Sequence, residues 1–449
     1  MTHHLLAIFW FAGVFLLLML GMMGVLGADM DYLANQYSSK ILIPPDYVTF
    51  TPPPVGQIYK DPVFGTEIMT ITDNHGVVGF NGERANFSPD DKYFFIGVKP
   101  KPGAANQVWL FNGRTGQFIK SVPIEQHDNV RWSYDPQTLV YVKGDQIRGY
   151  NIEIDQERVI AEFPEPLGDS RGRVCGGDGH DFDDNGEWIL LNYGERCTRM
   201  FAYNIRTGEK CPEMTFPREK ADIDYATITP SGKYILVVFR RGPRVENGGY
   251  VGFYLFDRQW NLVRQLSPHP GHVDMGYFNG TQECIIAKIG SVQAEWRERW
   301  ELKIRDRYAV IFSSGEVVKL LNRGTIYGQV SAVRGSNRRY AYWALETDNY
   351  DPAKRWDKYK GEILEIPLDG SLKVRRLLHH RCRLSEDVPH TFGDQPEMWI
   401  NHAGDRLFFR SNMCMKKGTN GQRYGHNLFF VQIPPRSPQS APGEALNHE

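Results

Sequence analysis

The sequence predicts an all-β fold, a seven-bladed β-propeller preceded by an N-terminal transmembrane helix. Three observations carry that expectation: a strand–turn–strand unit that recurs seven times, a composition rich in aromatics and glycine, and one long uncharged run at the start. Aromatic residues make up 13% of the 449 residues and glycines number 44, which suits many short strands joined by tight turns. The formal net charge of -1 leaves no global field for nucleic acid, so any electrostatic preference is local.

The uncharged run, Leu5 to Gly27, spans 23 residues, enough to cross about 30 Å of hydrocarbon as a helix. Cleavable signal peptides have a shorter apolar core, about 7–15 residues, behind a basic start. Here the core is longer and "MTHH" precedes it, so residues 1–27 read as an uncleaved signal anchor. Val25-Leu26-Gly27 ahead of Ala28 is the competing cleavage site. A large polar region after one N-terminal span is expected outside the cytoplasm, in the periplasm or at the cell exterior. Residues 28–60, with "PPDYVTFTPPPVG", read as a proline-stiffened spacer, and the polar tail 434–449 as disordered.

The repeat is clearest around "DFDDNGEWILLN", residues 181–192. Asp181, Asp183 and Asn185 ahead of Gly186 imitate the start of an EF-hand loop, but Asn192 stands where that loop needs a bidentate Glu. Similar stretches are "NFSPDDKYFFIGV" (86–98), "TITPSGKYILVVF" (227–239) and "WINHAGDRLFFRS" (399–411), with weaker copies at 131–143, 276–288 and 331–343. Their turn anchors, Asp91, Gln137, Gly186, Gly232, Gly280, Ser336 and Gly404, step by 46, 49, 46, 48, 56 and 68 residues. A period near 45 is one four-stranded blade, so the ring occupies residues 61–433 and the calcium-like loop is the first hairpin of blade three. "DPVFGTEIMTITD" (61–73) precedes the first complete blade. It is expected to supply the outer strand of the last blade and close the ring, which removes an open sheet edge.

Six cysteines leave two readings open. One is bridges, Cys175 with Cys197 or Cys211 and Cys382 with Cys414; the other is buried thiols, which suits Cys284 best.

In a blade the innermost strand starts at one face, called upper here. The connector entering it and the loop between the second and third strands share that face. Eight of the 13 histidines fall in such connectors, among them His180, His272, His379, His380 and His390. Asp178, Asp224, Asp274, Gln395 and Glu397 accompany them. Long insertions at 240–249, 291–307, 347–361 and 415–426 bring Arg241, Trp296, Arg297 and Arg355 to the same rim. Guanidinium forks bind carboxylates and aromatic rings stack on sugars, so the expected ligand site is His180, Asp178, Asp224, Arg241, Trp296, Arg297 and Arg355. Neither a Gly-rich phosphate loop, nor G-x-S-x-G, nor H-E-x-x-H occurs, so those enzyme classes have no support.

The repeats resemble WD-like propellers built on an "SPDGK" turn, including the Tol-system propeller. Blade seven, "HTFGDQPEMWINHAGDRLFFRSN", is similar to the last blades of oligogalacturonate lyases, through His390, Gln395, the N-x-x-G-D turn and "LFFRSN". Those are seven-bladed propellers that hold a divalent metal through three His and a Gln and cleave polyuronate by β-elimination. The resemblance implies one divalent ion, Mn or Ca, on His272, His390, Gln395 and Glu397. Glu397 departs from the pattern, which has His there. Three functions stay open, one of them a six- or seven-bladed sugar-modifying enzyme of unrelated mechanism. A second is a membrane-anchored propeller that binds an anionic carbohydrate on its upper face, with metal-assisted polyuronate cleavage as its enzymatic form. The third is a non-catalytic scaffold that binds an envelope protein through the same face.

Mass measurement of the mature protein should find residues 1–27 present and the chain in the membrane fraction. A soluble protein beginning at Ala28 would contradict the anchor.

Overall fold

The structure is a computed structural model that describes residues 31–47, 49–72, 76–77, 86–99, 107–124, 130–168, 182–193, 198–240, 249–268, 273–288, 298–303, 306–322, 328–345, 356–382, 396–413 and 427–436. Within them lie 28 strands in seven sheets. Two strands, β1 (Ile58–Lys60) and β2 (Glu67–Thr70), precede the first blade. Blade one is β3 (Gly76–Val77), β4 (Tyr93–Lys99), β5 (Gln107–Asn112) and β6 (Phe118–Val122). Blade two is β7 (Arg131–Trp132), β8 (Thr138–Lys143), β9 (Gln146–Asn151) and β10 (Gln156–Glu162). In blade three the described strands are β11 (Trp188–Tyr193), β12 (Arg199–Asn204) and β13 (Met214–Thr215). Blade four is β14 (Ile223–Ile228), β15 (Tyr234–Phe239), β16 (Gly252–Asp257) and β17 (Leu262–Ser267). Blade five is β18 (Val273–Phe278), β19 (Gln282–Lys288), β20 (Arg307–Ile311) and β21 (Val317–Leu321). Blade six is β22 (Gly328–Ala332), β23 (Tyr340–Leu345), β24 (Glu362–Pro367) and β25 (Arg375–His379). The last is β26 (Glu397–Ile400), β27 (Arg406–Ser411) and β28 (Asn427–Gln432).

Closure follows the expectation. Strand β2 pairs antiparallel with β28, Ile68 opposite Val431, and β1 adds a fifth strand outside it. Apolar faces of neighbouring blades interlock around the ring. Between blades seven and one, Phe87, Phe94, Trp399, Phe408 and Phe430 form one buried cluster, and the Phe94 and Phe408 rings stack at 4.5 Å.

Polar turns on the lower face tie every blade to the next. Trp132 Nε1 donates to the Asn86 carbonyl at 2.8 Å, and the Tyr134 amide to the Gly186 carbonyl at 2.9 Å. The Asp184 amide donates to the Pro230 carbonyl at 2.7 Å, and Ser231 gives its amide and hydroxyl to the Glu283 carboxylate at 2.8 and 2.6 Å. Arg338 Nε reaches the Gly280 carbonyl at 2.7 Å, and the Gly335 amide the His402 carbonyl at 2.9 Å. The Asp91 carboxylate completes the circle by accepting the amides of His402 and Ala403 at 2.8 and 2.9 Å. These bonds explain the polar turn residues that mark the repeat. Gly186 shows the close approach: its φ is 68°, and a Cβ there would lie 2.3 Å from the Tyr134 amide nitrogen. The "calcium loop" is this hairpin turn, with Asp183 Oδ1 accepting the amides of Glu187 and Trp188 at 2.8 Å each.

Residues 31–60 depart from the spacer reading, because they pack on the outside of blades six and seven. Residues 31–36 are helical, and the segment after them lies along β25. Arg376 donates to the carbonyls of Ser38 and Lys40 at 3.2 and 2.7 Å while forking onto Glu362 at 2.5 and 2.7 Å. His379 bridges Asp61, 3.2 Å away, and the Leu42 carbonyl at 3.1 Å. Arg381 pairs with Asp46 at 2.6 Å over the Phe50 ring. Trp356 meets Tyr47 edge to face at 5.0 Å. The tail also begins docked: Arg436 pairs with Glu365, and Pro434 and Pro435 accept from Arg375. Residues 5–27 and 437–449 lie outside the described residues, among which no helix is long and apolar enough to cross a membrane.

A chain starting at Gly76 lacks β1 and β2 and leaves β28 as an open edge. It should aggregate and lose cooperative urea unfolding, relative to a chain starting at Asp31. Equal solubility and cooperativity in the two would contradict ring closure.

Candidate functional site

Polar residues sit at the upper ends of the inner strands, where a purely structural strand would be apolar. Arg131 opens β7, Asp224 is second in β14, Gln329 second in β22 and Glu397 opens β26; Asp274 of β18, counted toward the upper face from sequence, instead reaches the far end of β22, at Ala332 and Arg334. All but Asp224 are buried. Each acid meets a guanidinium. Asp224 pairs with Arg240, just beyond β15. Glu397 faces Arg410 across the β26–β27 ladder at 3.0 Å. Asp274 Oδ1 receives Arg334 Nη2 at 3.2 Å while its Oδ2 accepts the Ala332 amide at 2.6 Å. Buried carboxylates need such partners, since desolvating an uncompensated charge costs several kcal/mol.

Arg334 does more than pair with Asp274. Its Nη1 lies 3.4 Å from Asp184, and Asp184 also accepts the Tyr277 hydroxyl at 2.5 Å. These residues come from blades six, three and five. Blades three and six are three steps apart in a ring of seven, so their side chains meet only by crossing the axis. Arg334 therefore lies across the lower end of the central channel. Beside it remains a cavity of about 30 Å³, lined by Phe87, Trp132, Phe182 and His402 among others, room for about one water. Burial pushes the Asp184 carboxyl above the usual carboxylate range, against the pull of Arg334 and Tyr277. Burial, then the Asp184 charge, pushes the Tyr277 phenol up as well and keeps it a donor.

Of the residues expected from sequence to form the ligand site, Asp224 alone is described. His180, Asp178, Arg241, Trp296, Arg297 and Arg355 lie outside the described residues, as do His272, His390 and Gln395 of the expected metal set. Glu397 is described: its Oε1 lies 3.0 Å from Arg410 Nη2, and the rest of the expected set lies outside the described residues. Two histidines counted toward the upper face belong elsewhere. His379 ends β25 and His380 follows it; both are fully buried. His380 has both ring nitrogens engaged, Nε2 with the Leu345 carbonyl at 2.7 Å and Nδ1 with the Cys382 amide at 3.0 Å. Burial pulls its pKa down to about 4, so it stays neutral as a packing element. Cys211 and Cys284 are buried free thiols, which rules out the Cys175–Cys211 pairing; Cys175, Cys197 and Cys414 lie outside the described residues.

The Arg334–Asp184–Asp274 crossing escaped sequence reading. Its acids look like ordinary turn and strand residues, and only the ring geometry brings blades three and six together.

No protein-family model and no curated protein matches the chain. Among solved structures, an oligogalacturonate lyase in complex with manganese superposes with a TM-score of 0.56 at 11% identity, covering 84% of this chain and 96% of that one. The oligogalacturonate lyase of Vibrio parahaemolyticus gives 0.57 at 11%, with the same coverage. The chain shares their fold. At that identity the likeness extends to the seven-bladed propeller and agrees with the similarity seen in blade seven.

Replacing Arg334 by Leu strips Asp184 of its guanidinium inside the channel. Urea unfolding should show a loss of about 3 kcal/mol, and Asp184→Asn in the same background should recover part of it. A change below about 0.5 kcal/mol, the range of ordinary surface substitutions, would contradict the axial pairing.

Proposed function

We propose that this chain is a membrane-anchored, extracytoplasmic propeller whose upper face binds an acidic carbohydrate of the polyuronate class. The observation that carries the reading is the Arg334 crossing. With the lower end of the channel filled by an ion-paired side chain, a ligand on the axis is reached from the upper face. The polar ends of inner strands such as β7, β14 and β26 lie toward that face, and the sequence assigns the arginine-bearing insertions to the same side. A polyuronate offers one carboxylate per sugar, matched by guanidinium forks, and its ring faces suit aromatic side chains on the rim. Arg131 and Arg240 at the strand ends support this, and Arg241, Arg297 and Arg355 follow from the sequence of the same connectors.

The proposal is binding rather than turnover. A manganese-bound oligogalacturonate lyase shares the fold, and metal-assisted cleavage would need His272, His390, Gln395 and Glu397 to gather on one ion.

The full-length protein in non-ionic detergent should bind a galacturonate trimer at least tenfold more tightly than a neutral galactose trimer in calorimetry. Affinity should fall as salt rises from 50 to 200 mM, and Arg241→Ala with Arg355→Ala should weaken it about 5- to 20-fold. Equal binding of the neutral trimer, or none of either, would contradict the proposal.

A further inference from the structure

A second cavity lies far from the axis, on the outer edge of blade six, with a volume of about 600 Å³. Three separate parts of the chain build it. Leu33, Ala34, Tyr37, Ser38 and Ser39 of the docked N-terminal segment form one wall. Blade six supplies the floor from Tyr340, Tyr359, Glu365 and the stretch 371–375, and Arg436 of the C-terminal segment closes one side.

Its charge is one-sided. Lys358, Lys373, Arg375 and Arg436 line it, against the single acid Glu365. That acid is already engaged, accepting the Tyr342 hydroxyl at 2.6 Å and Arg436 Nε and Nη2 at 3.0 and 2.9 Å. Arg375 is 2% exposed and divides its donors unevenly. Nε bonds Gln36 at 2.9 Å, and Nη2 bonds the carbonyls of Pro434 and Pro435 at 2.8 and 3.1 Å. Nη1 has no hydrogen-bond partner among the described residues, with Glu365 Oε1 at 4.0 Å. A buried guanidinium donor left without an acceptor is costly, and native proteins rarely leave one.

The walls between these cations carry rings and alkyl groups. Tyr37 is 39% exposed and Leu372 40%, both on the cavity. Tyr340 and Tyr359 are covered by the Arg436 and Lys358 cations at 3.8 and 4.5 Å from their ring centres. A volume of this size takes a ligand of ordinary small-molecule dimensions.

We propose that this cavity is a binding site for a small ring compound bearing a carboxylate or sulfate. Its oxyanion pairs with Lys373 and Lys358 on the cavity wall, the buried Arg375 adds its charge from beneath, and its ring lies against Tyr37 and Leu372. The site is distinct from the axial end of the ring, since its residues come from the two terminal segments, strands β23 to β25 with the β24–β25 turn, and the loop residues Lys358 and Tyr359 at the blade edge, with no inner-strand residue among them. It also gives the docked terminal segments a function beyond sealing the blade edge, because the cavity exists only where both are seated.

The test uses 4-fluorobenzoate as probe, followed by fluorine NMR line broadening on the full-length protein in non-ionic detergent. The probe should bind, inorganic sulfate should compete with it, and neutral 4-fluorobenzyl alcohol should bind at least tenfold more weakly. Lys373→Glu, at an exposed position, should weaken the probe at least fivefold, and Tyr37→Ala at least threefold. Both variants should leave galacturonate-trimer binding unchanged, which separates this site from the upper face. Absence of probe binding to the native protein, or binding that neither substitution alters, would overturn the proposal.

Discussion

Ring closure is the constraint on which the rest of this structure depends. Seven sheets packed face to face in a circle leave two ends to be joined, and the join is β2 on β28, Ile68 opposite Val431. A strand that lies early in the sequence must therefore sit at the outside of the last blade. The chain preceding it is then delivered to the outer edge of blades six and seven, and β1 adds to the same sheet. What looks in sequence like a proline-rich tether is held against the scaffold by the geometry of closure.

That geometry accounts for an otherwise odd strand. Residues 375–381 read Arg-Arg-Leu-Leu-His-His-Arg, a basic run at the edge of a blade, all of it buried. The three arginines and His379 each have a partner in the incoming segment or beside it: Arg375 with Gln36, Arg376 with the carbonyls of Ser38 and Lys40, His379 with Asp61, and Arg381 with Asp46. Burial works against the Asp61 charge, yet the His379 charge and hydrogen bond outweigh it and hold that carboxyl below its usual range. Buried ionic contacts of this kind contribute modest net stability because desolvation offsets them, but they are strict about position. The segment is thus seated in one register, and the cavity over Arg375 follows from that seating.

Much of the scaffold was legible in the sequence, and the reasons are specific. Turn anchors such as Asp91 and Gly186 must satisfy amides of the adjacent blade or allow its backbone to approach, so the repeat is written in polar turn residues. The closing strand was legible because 61–73 had no blade of its own. The docked segment was not: proline and polar content argues for a tether, and the contrary signal was the basic run of β25, whose partners lie more than 300 residues away. His379 and His380 read from sequence as connector residues, but β25 extends to His379 and both side chains are buried, His379 against Asp61 and Leu42 and His380 against Leu345. The axial crossing of Arg334 was beyond sequence reading, since it depends on which blades face each other across the ring.

These features divide the molecule functionally. The lower face is a belt of inter-blade hydrogen bonds around a channel crossed by Arg334, and the proposed acidic-sugar site is assigned to the upper face. Hydrogen–deuterium exchange of the full-length protein, with and without galacturonate trimer, tests that division directly. Added protection should fall on the connectors entering inner strands, 169–181 and 383–395, and on the second-to-third-strand loop 241–248, and spare the lower turns around Asp91, Gly186, Gly280 and Gly404. Protection centred on the lower turns, or no change anywhere at saturating trimer, would contradict the account.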